Sequence, residues 1–372
     1  MKQTTTQWID TQNDLRLCCS QLEGAEWIVL DTEFERVRTY YPRLCLLQLA
    51  SKQGIWLLDP LCLLNLDALK PVLNKAGTVI IHAARQDLEV LDYALGILPA
   101  TLFDTQVAAA FLGLGDQVGY AALVQQTQGI ELEKSQTRTH WCQRPLSDAQ
   151  LQYAADDVRY LGPLYLQLQE QLDQVGKLHW MKEEMNNIVA QRAWQLDPQS
   201  TAQRLLGRRS QLSQRSQNLF VMLAIWREEV AIRRNLPREW VLSNDILRQI
   251  AECNPQSTDQ LLKLADFGSK MLDRYGKSIL QITHSTTPGS ENDPKPSLTD
   301  NRVLLKKLQK ITARVAHEHS VSPGLLASKK TLLELLEGEK DCQLCHGWRQ
   351  QLLGEQLKGI IAAQQQNHPT SV

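Results

Sequence analysis

The sequence predicts an α/β domain with a mixed sheet, followed by an all-helical region. Short apolar runs at 27–30, 44–50, 54–58 and 78–82 have the length and composition of strands. Beyond about residue 200 such runs stop, and apolar residues recur at helical intervals. With 372 residues the chain is long enough for two or three domains with cores of their own.

Strands and helices alternate in the first part of the chain. A short helix is expected through Glu23, before the first strand. The second and third strands follow with only short turns, which indicates an antiparallel meander at the start of the sheet. Later apolar spacing and N-cap residues predict further helices. These are expected at 66–73, 83–95, 106–112, 119–126, 147–173 and 177–194.

The second part is predicted to form two helical modules. Helical patterns at 217–250 and 258–282 end at a Pro, Ser and Thr-rich stretch, 283–297, whose composition is typical of a linker. After it, 316–333 weakly repeats the pattern of 231–247, although any helix-loop-helix would look similar. The expected domains are therefore 1–200, 210–290 and 298–372.

Charge is distributed unevenly along a chain whose net charge is only −1. Residues 1–200 hold 16 Lys and Arg against 24 Asp and Glu, a net of −8, and residues 201–372 hold 24 against 17, a net of +7. An acidic part joined to a basic part suggests metal-dependent chemistry beside a surface that binds a polyanion. No run approaches the length of a membrane span and the start has no apolar signal core, so a cytoplasmic protein without a membrane partner is expected.

Eight cysteines are scattered without a framework, and no disulfide is expected because a cytoplasmic chain keeps its thiols reduced. Cys342, Cys345 and His346 have the spacing of a c-type haem attachment site, but haem attachment requires export, so no haem is expected. A zinc site needs four ligands, and these three residues do not supply them.

Two carboxylates follow the first strand. Asp31 and Glu33 are two residues apart, and a strand places such side chains on one face. Two like charges held this close favour a divalent cation, which prefers oxygen ligands. An acid-x-acid triplet also occurs by chance roughly four times in a chain of this composition. The preceding apolar strand and two later carboxylates favour the metal site.

Those later carboxylates follow other elements. Asp87 lies in the first turn of a helix after a short strand, at the edge of the sheet where α/β proteins bind ligands. Tyr153 and Asp157 are one turn apart on the helix that Ser147 caps, so they share a face. Asp156 points about 100° away from them and is expected to have no role in the site.

Bases alternate with aromatic residues directly after Glu33. Arg36, Arg38, Tyr40 and Tyr41 offer cations for phosphates and rings for bases, and we predict that they contact a nucleic acid. The alternative is a solvated hairpin turn.

In the order and spacing of Asp31-Thr32-Glu33, His82 to Asp87 and Tyr153 to Asp157, the chain resembles the DEDD exonuclease superfamily in its tyrosine-bearing branch. Further residues resemble the ribonuclease D family within that branch: Phe34, Arg36, Arg38 to Pro42, Trp141 and Arg144 to Ser147. The part after residue 210 resembles the helical HRDC module, and the segment after the linker matches that module only loosely.

The resemblance implies a ribonuclease H-like fold and a 3′–5′ exoribonuclease that uses two divalent ions, Mg²⁺ or else Mn²⁺. Asp31 would bridge both ions, Glu33 and Asp157 would hold the ion on the nucleophile side, and Asp87 would hold the other. Tyr153 would orient the attacking water. The implied substrates are RNA 3′ ends, such as those of tRNA precursors, and a monomer is expected.

Two alternatives remain at this point. A DNA 3′–5′ exonuclease of the same superfamily would carry the same residues. A nucleic-acid-binding adaptor that has lost catalysis would keep the fold, although the intact acids and Tyr153 argue against such a loss.

Overall fold

The computed structural model describes residues 5–132, 139–192, 194–195, 197–207, 212–285, 299–339 and 341–367. They form two compact units that are not consecutive in sequence. The first unit comprises Met1–Glu35, Leu44–Arg192 and Ser297–Val372, and the second comprises Arg36–Arg43 and Ala193–Pro296. Most of the predicted linker, residues 286–297, lies outside the described residues.

A mixed sheet of six strands forms the centre of the first unit, in the order β1-β4-β3-β2-β5-β6. β3 runs antiparallel to β4, whereas β1 is parallel to β4 and β5 is parallel to both β2 and β6. The strands are β1 Thr6–Ile9, β2 Ile28–Glu35, β3 Arg43–Ala50, β4 Ile55–Leu58, β5 Val79–Ile81 and β6 Leu102–Asp104. The predicted α/β domain with a mixed sheet is confirmed.

Helices cover this sheet and bury it. Ile28, Val29 and Leu30 are fully buried, as expected for a central strand with helices on both faces. The helices are α1 Gln12–Leu22, α2 Leu69–Lys75, α3 Arg85–Leu95, α4 Thr105–Phe111, α5 Tyr120–Gln128, α6 Asp148–Arg159, α7 Leu161–Gln174 and α8 Leu178–Gln191. Of these, α3, α6 and α7 contact β2, the strand that carries Asp31 and Glu33.

The structure adds two short strands that the sequence did not predict and interrupts one predicted helix. The segment before α1 contains β1, a strand of four residues whose pattern is too short to register as periodic. Likewise β6 has three residues and runs directly into α4. The helix predicted over 147–173 is interrupted at Tyr160, and Pro163 explains the break because it has no N–H for the carbonyl four residues earlier.

The second unit is helical where the structure describes it. Its core is a cluster of buried side chains that includes Phe220, Leu223, Leu247 and Ile279. The helices are α9 Pro198–Leu206, α10 Gln214–Arg234, α11 Arg238–Val241, α12 Asn244–Cys253, α13 Thr258–Leu262, α14 Ser269–Met271 and α15 Lys277–Ser285, with a π-helical turn at Leu272–Gly276.

A C-terminal module, residues 299–367, packs within the first unit. The module contains α16 Thr299–Glu318, α17 Pro323–Leu326, α18 Lys329–Leu336, a 3₁₀ turn at Gln343–Cys345, α19 Gly347–Arg349, a π-helical turn at Gln350–Gly354 and α20 Glu355–Asn367. Arg349 donates to both carboxylate oxygens of Glu184 in α8, at 2.5 and 3.0 Å, and the pair is buried. Nearby, the rings of Trp180 and Trp348 stack with centroids 5.7 Å apart.

Backbone contacts also join this module to the centre of the first unit. The Lys177 ammonium donates to the carbonyls of Phe111 at 2.8 Å and Ser320 at 2.9 Å. The Ser322 N–H donates to the Ala110 carbonyl at 2.8 Å. The module is therefore held by buried polar contacts as well as by aromatic packing.

Within the described part of the chain, no helix combines the length and apolar composition needed to cross a membrane.

Candidate functional site

β2 places two carboxylates at the end of a buried strand. Asp31 and Glu33 follow the buried run Ile28–Leu30 and lie on one face because strand side chains alternate. Together with Asp157, they have carboxylate oxygens that all lie within 4.8 Å of one another. The two β2 carboxylates and the distant Asp157 therefore form one carboxylate cluster, and Asp87 lies close enough to Asp31 for their charges to interact.

Asp87 is oriented by a hydrogen bond from β2, and Asp104 stabilises the turn that precedes the helix of Asp87. The Thr32 hydroxyl, on the opposite face of β2 from Asp31, donates to Asp87 Oδ1 at 2.6 Å, and both residues are buried. The Asp104 carboxylate accepts from the N–H groups of Ala83 at 3.0 Å and Ala84 at 2.8 Å, directly before α3. Ala83 has a φ of 58°, which is unusual for a residue other than glycine, and these bonds stabilise that turn.

α6 carries Tyr153 and Asp157 on one face. Ser147 and Gln150 form a capping box, which fixes where the helix starts and therefore which residues face β2. The pKa of the Tyr153 hydroxyl is raised by burial and then by the nearby Asp157 carboxylate. Asp156 instead pairs with Arg159 at 2.8 Å and is not part of the carboxylate cluster.

The segment before α6 packs on Tyr153 and is covalently tied to β3. The Trp141 and Tyr153 rings are 6.1 Å apart. Cys45 and Cys142 form a disulfide, which contradicts the expectation of reduced cysteines. These cysteines are 97 residues apart in sequence, but the fold brings their Cα atoms to 5.0 Å, within the range that a disulfide spans.

Arg144 holds the same segment from its other end. Its guanidinium pairs with the buried Asp59 carboxylate at 2.6 Å and donates to the Cys45 carbonyl at 2.6 Å. The pKa of Asp59 is lowered, because hydrogen bonds from Arg144 and from the Leu61 N–H outweigh the effect of burial. Trp141 is thus held beside Tyr153.

Burial and mutual repulsion raise the pKa values of the carboxylate cluster. Burial raises the pKa of Asp31 to about 6. Burial, and then the charges of neighbouring carboxylates, raise the pKa of Glu33 to about 9 and that of Asp157 to about 9. The pKa of Asp87 also rises well above its ordinary value through burial and the nearby Asp31. The metal-free site therefore binds protons in place of cations.

This proton binding predicts a pH-dependent response to Mg²⁺. Folded pKa values above the unfolded ones mean that stability is greatest in acid and is lost as pH rises from about 4 toward 9. We expect the melting temperature in EDTA to fall between pH 6 and pH 8, and the increase caused by Mg²⁺ to be larger at pH 8. Differential scanning fluorimetry measures both.

The same measurement on Glu33→Gln supplies the control. A neutral side chain at this position should make the metal-free curve flatter with pH. A Mg²⁺-induced increase that is equal at both pH values in the unsubstituted protein would contradict the proposed role of the cluster.

The hydrogen bond from Thr32 to Asp87 makes a second testable feature. In Thr32→Val the shape is kept but the donor is lost, so Asp87 loses its orientation. We expect a higher Mg²⁺ concentration for half-maximal activity, by roughly tenfold, as for other residues that orient metal ligands. Thr32→Ser keeps the hydroxyl and should stay close to the unsubstituted protein. Equal Mg²⁺ requirements for Val and Ser would show that the hydroxyl has no such role.

The predicted substrate contacts belong to the second unit, whereas the carboxylates belong to the first. Tyr40 donates from its hydroxyl to Glu228, and the Arg238 guanidinium stacks 4.8 Å from its ring centroid. The N–H groups of Tyr40 and Tyr41 both donate to Asn235 Oδ1, at 3.0 and 3.1 Å. Arg36 and Arg38 belong to the same segment. Part of this segment thus serves to anchor it to α10 and α11.

Sequence reasoning assigned no function to several residues that position the site. Thr32 and Asp104 orient Asp87 and its helix, and the Tyr120 hydroxyl donates to the Asp156 carbonyl at 2.7 Å on α6. An available signal was Asp104 before a helix, which indicates an N-cap. The contacts across elements had no sequence signal.

The donor set suits hard divalent cations. Among the described residues, the candidate ligand atoms of Asp31, Glu33 and Asp157 are all carboxylate oxygens, and carboxylates at this spacing repel unless cations or protons neutralise them. With an adjacent tyrosine hydroxyl, the arrangement can bind cations, orient a water molecule and hydrolyse a phosphodiester.

Comparison with known families agrees with this geometry. A 3′–5′ exonuclease family model matches residues 6–173. An HRDC domain model matches residues 216–283, and a model of the C-terminal HRDC domain of ribonuclease D matches residues 300–357.

Individual relatives extend the similarity over almost the whole chain. Ribonuclease D of Xanthomonas oryzae is 36% identical and covers 90% of this chain and 93% of the relative. For ribonuclease D of Pseudomonas paraeruginosa the values are 35%, 95% and 97%. The crystal structure of Escherichia coli RNase D, described as an exoribonuclease involved in structured RNA processing, matches with a TM-score of 0.87 at 31% identity, over 99% of this chain and 100% of that one. The chain belongs to the ribonuclease D family of 3′–5′ exoribonucleases.

Proposed function

We propose that Asp31, Glu33, Asp87 and Asp157 hold two divalent cations, most readily Mg²⁺, and that the chain uses them to remove nucleotides from RNA 3′ ends. The observation that supports this proposal is the gathering of half-buried carboxylates whose pKa values rise through burial and then through their mutual repulsion. When bound, the cations supply a polarised phosphate and a water of lowered pKa.

The chain's own residues have separate tasks in this proposal. Asp31, whose charge acts on Glu33, Asp87 and Asp157, would help to hold both cations. Glu33 and Asp157 would hold one cation with it, and Asp87, oriented by Thr32, would hold the other. Tyr153, one helical turn before Asp157 and beside its carboxylate, directs the attacking water toward phosphorus. Trp141 packs on Tyr153 and limits its motion.

Tyr153→Phe tests the water-orienting role. We expect kcat to fall by about 10- to 100-fold with little change in KM, because the hydroxyl acts chiefly in the transition state. Steady-state kinetics over a range of Mg²⁺ concentrations measures this. A normal kcat at saturating Mg²⁺, with a much weaker response to the metal, would instead make Tyr153 a residue that supports metal binding.

The proposed substrates are structured RNAs with a free 3′ end, including tRNA precursors. The family similarity and the description of the Escherichia coli relative as acting in structured RNA processing support this choice. Arg36, Arg38, Tyr40 and Tyr41 remain the proposed contacts to that RNA.

One assay separates this function from its alternatives. RNA and DNA oligomers, each with a free or a blocked 3′ end, are incubated with the protein in Mg²⁺ or EDTA. We expect stepwise loss of nucleotides only from RNA with a free 3′ end and only with Mg²⁺. Faster degradation of DNA would favour the DNA exonuclease. Binding without degradation would favour the nucleic-acid-binding adaptor that has lost catalysis.

A further inference from the structure

α16 in the C-terminal module carries a row of bases. Arg302, Lys306, Lys310 and Arg314 follow one another at intervals of four residues, and Lys307 lies beside them. All five are exposed. Four-residue spacing stacks side chains about 6 Å apart along a helix, so the row is about 18 Å long. We call these five residues the basic row.

The basic row lacks the acids that usually accompany such bases. No Asp or Glu occurs between Asn301 and His317. Among the described residues, Arg314 pairs with Glu318 at 3.7 Å, and no ion pair joins Lys306, Lys307 or Lys310 to an acid. Like charges four residues apart destabilise a helix, so this arrangement opposes helix formation. The charges are therefore better explained by a partner than by stability.

The opposite face of α16 fixes the direction in which the row points. Leu308, Thr312, Val315 and Ala316 are buried against the rest of the C-terminal module. Directly after the helix, the carbonyl of Ser320 and the N–H of Ser322 bond to Lys177 and Ala110 in the centre of the first unit. The basic row therefore belongs to the same compact unit as the carboxylate cluster.

The chemistry of the row selects its partner. A membrane surface would require a free apolar face on the helix, and that face is buried here. A protein partner is usually anchored by aromatic or aliphatic residues, and Val303 is the single large apolar side chain exposed on this helix. Evenly spaced positive charges fit an evenly spaced polyanion. Since residues 1–200 carry a net charge of −8, that part of the chain repels RNA and an attractive surface is needed elsewhere.

We propose that the basic row binds backbone phosphates of the RNA on the 5′ side of the nucleotide that is being removed. The proposal rests on the proposed function, because RNA is the polyanion that such an enzyme holds. It assigns the C-terminal module a role in substrate binding through α16, in addition to its packing.

The test replaces Lys306, Lys307 and Lys310 together by Gln, which keeps helix propensity and removes three charges. The full-length protein is titrated with an RNA hairpin that bears a single-stranded 3′ tail, in EDTA to prevent cleavage, over a range of salt concentrations. We expect weaker binding and a slope of log K against log[salt] that is shallower by about 2 to 3 units, since each lost phosphate contact contributes about 0.7–0.9.

A matched variant removes the same charge elsewhere. Lys52→Gln, Lys75→Gln and Lys329→Gln together neutralise three exposed lysines of the first unit on three different segments. We expect its salt slope to stay close to that of the unsubstituted protein. An equal change in both variants would mean a general charge effect and would overturn the proposal, as would an unchanged slope in the basic-row variant. Replacing Lys306, Lys307 and Lys310 by Arg keeps the charge and should preserve the slope.

Failure of the proposed function would look different. A protein that does not degrade a short RNA oligomer in Mg²⁺ fails the function, whatever its salt slope. Binding in EDTA reports on the basic row alone.

Discussion

Asp31→Asn is expected to lower the rate of RNA degradation by at least about a hundredfold at saturating Mg²⁺. The amide keeps the shape of the side chain but removes the charge that both proposed cation positions share. Asp31 also contributes to the raised pKa values of Glu33, Asp87 and Asp157, so its charge acts on all three other carboxylates of the cluster. A single-turnover assay with a 3′-labelled oligomer measures the rate.

The same substitution should raise the melting temperature of the metal-free protein, because it removes repulsion from a half-buried cluster. Asp156→Asn is the matched control, since Asp156 is on the same helix as Asp157 but pairs with Arg159. We expect the control to retain nearly full activity. An Asp31→Asn protein with more than about a tenth of the original turnover would refute the assignment.

Arg349→Met is expected to destabilise the first unit by about 3–5 kcal/mol, because it leaves the Glu184 carboxylate buried without a partner. The substitution also removes the hydrogen bonds that Arg349 donates to the Leu325 carbonyl at 3.0 and 3.1 Å. Denaturant unfolding monitored by tryptophan fluorescence measures the change, since Trp180 and Trp348 stack beside the pair.

Two further variants separate the ion pair from general effects. Lys52→Met removes one partner of an exposed pair with Glu26 and should cost less than about 1 kcal/mol. Combining Arg349→Met with Glu184→Leu removes both buried charges and should recover much of the stability. If Arg349→Met were as mild as Lys52→Met, the C-terminal module would not be held by this pair.

The proposed catalytic positions could be chosen from the sequence because each one follows a local rule. Asp31 and Glu33 terminate an apolar strand, Asp87 begins a helix after a short strand, and Tyr153 and Asp157 are one helical turn apart. Such signals lie within a few residues and depend only on the periods of strands and helices. Family resemblance then joined them, since no local pattern shows that three separate segments meet.

Other features depended on contacts between distant segments. The donation from Thr32 to Asp87, the disulfide between Cys45 and Cys142, and the placing of Tyr40 against Glu228 each join elements that are far apart in the chain. The short strands β1 and β6 exist because neighbouring strands supply their hydrogen bonds. Three or four residues have too little periodicity to indicate a strand on their own.

The sequence by itself determined the α/β class with its helical continuation, the four carboxylates with Tyr153, and the division between an acidic and a basic part. Only the tertiary structure decided that the C-terminal module packs on the centre of the first unit, through Glu184 and Arg349, with its row of bases exposed. The physical reason is range: propensity, capping and periodicity act over one or two turns of chain, whereas a buried ion pair or aromatic stack forms between residues whose proximity is set by the complete fold.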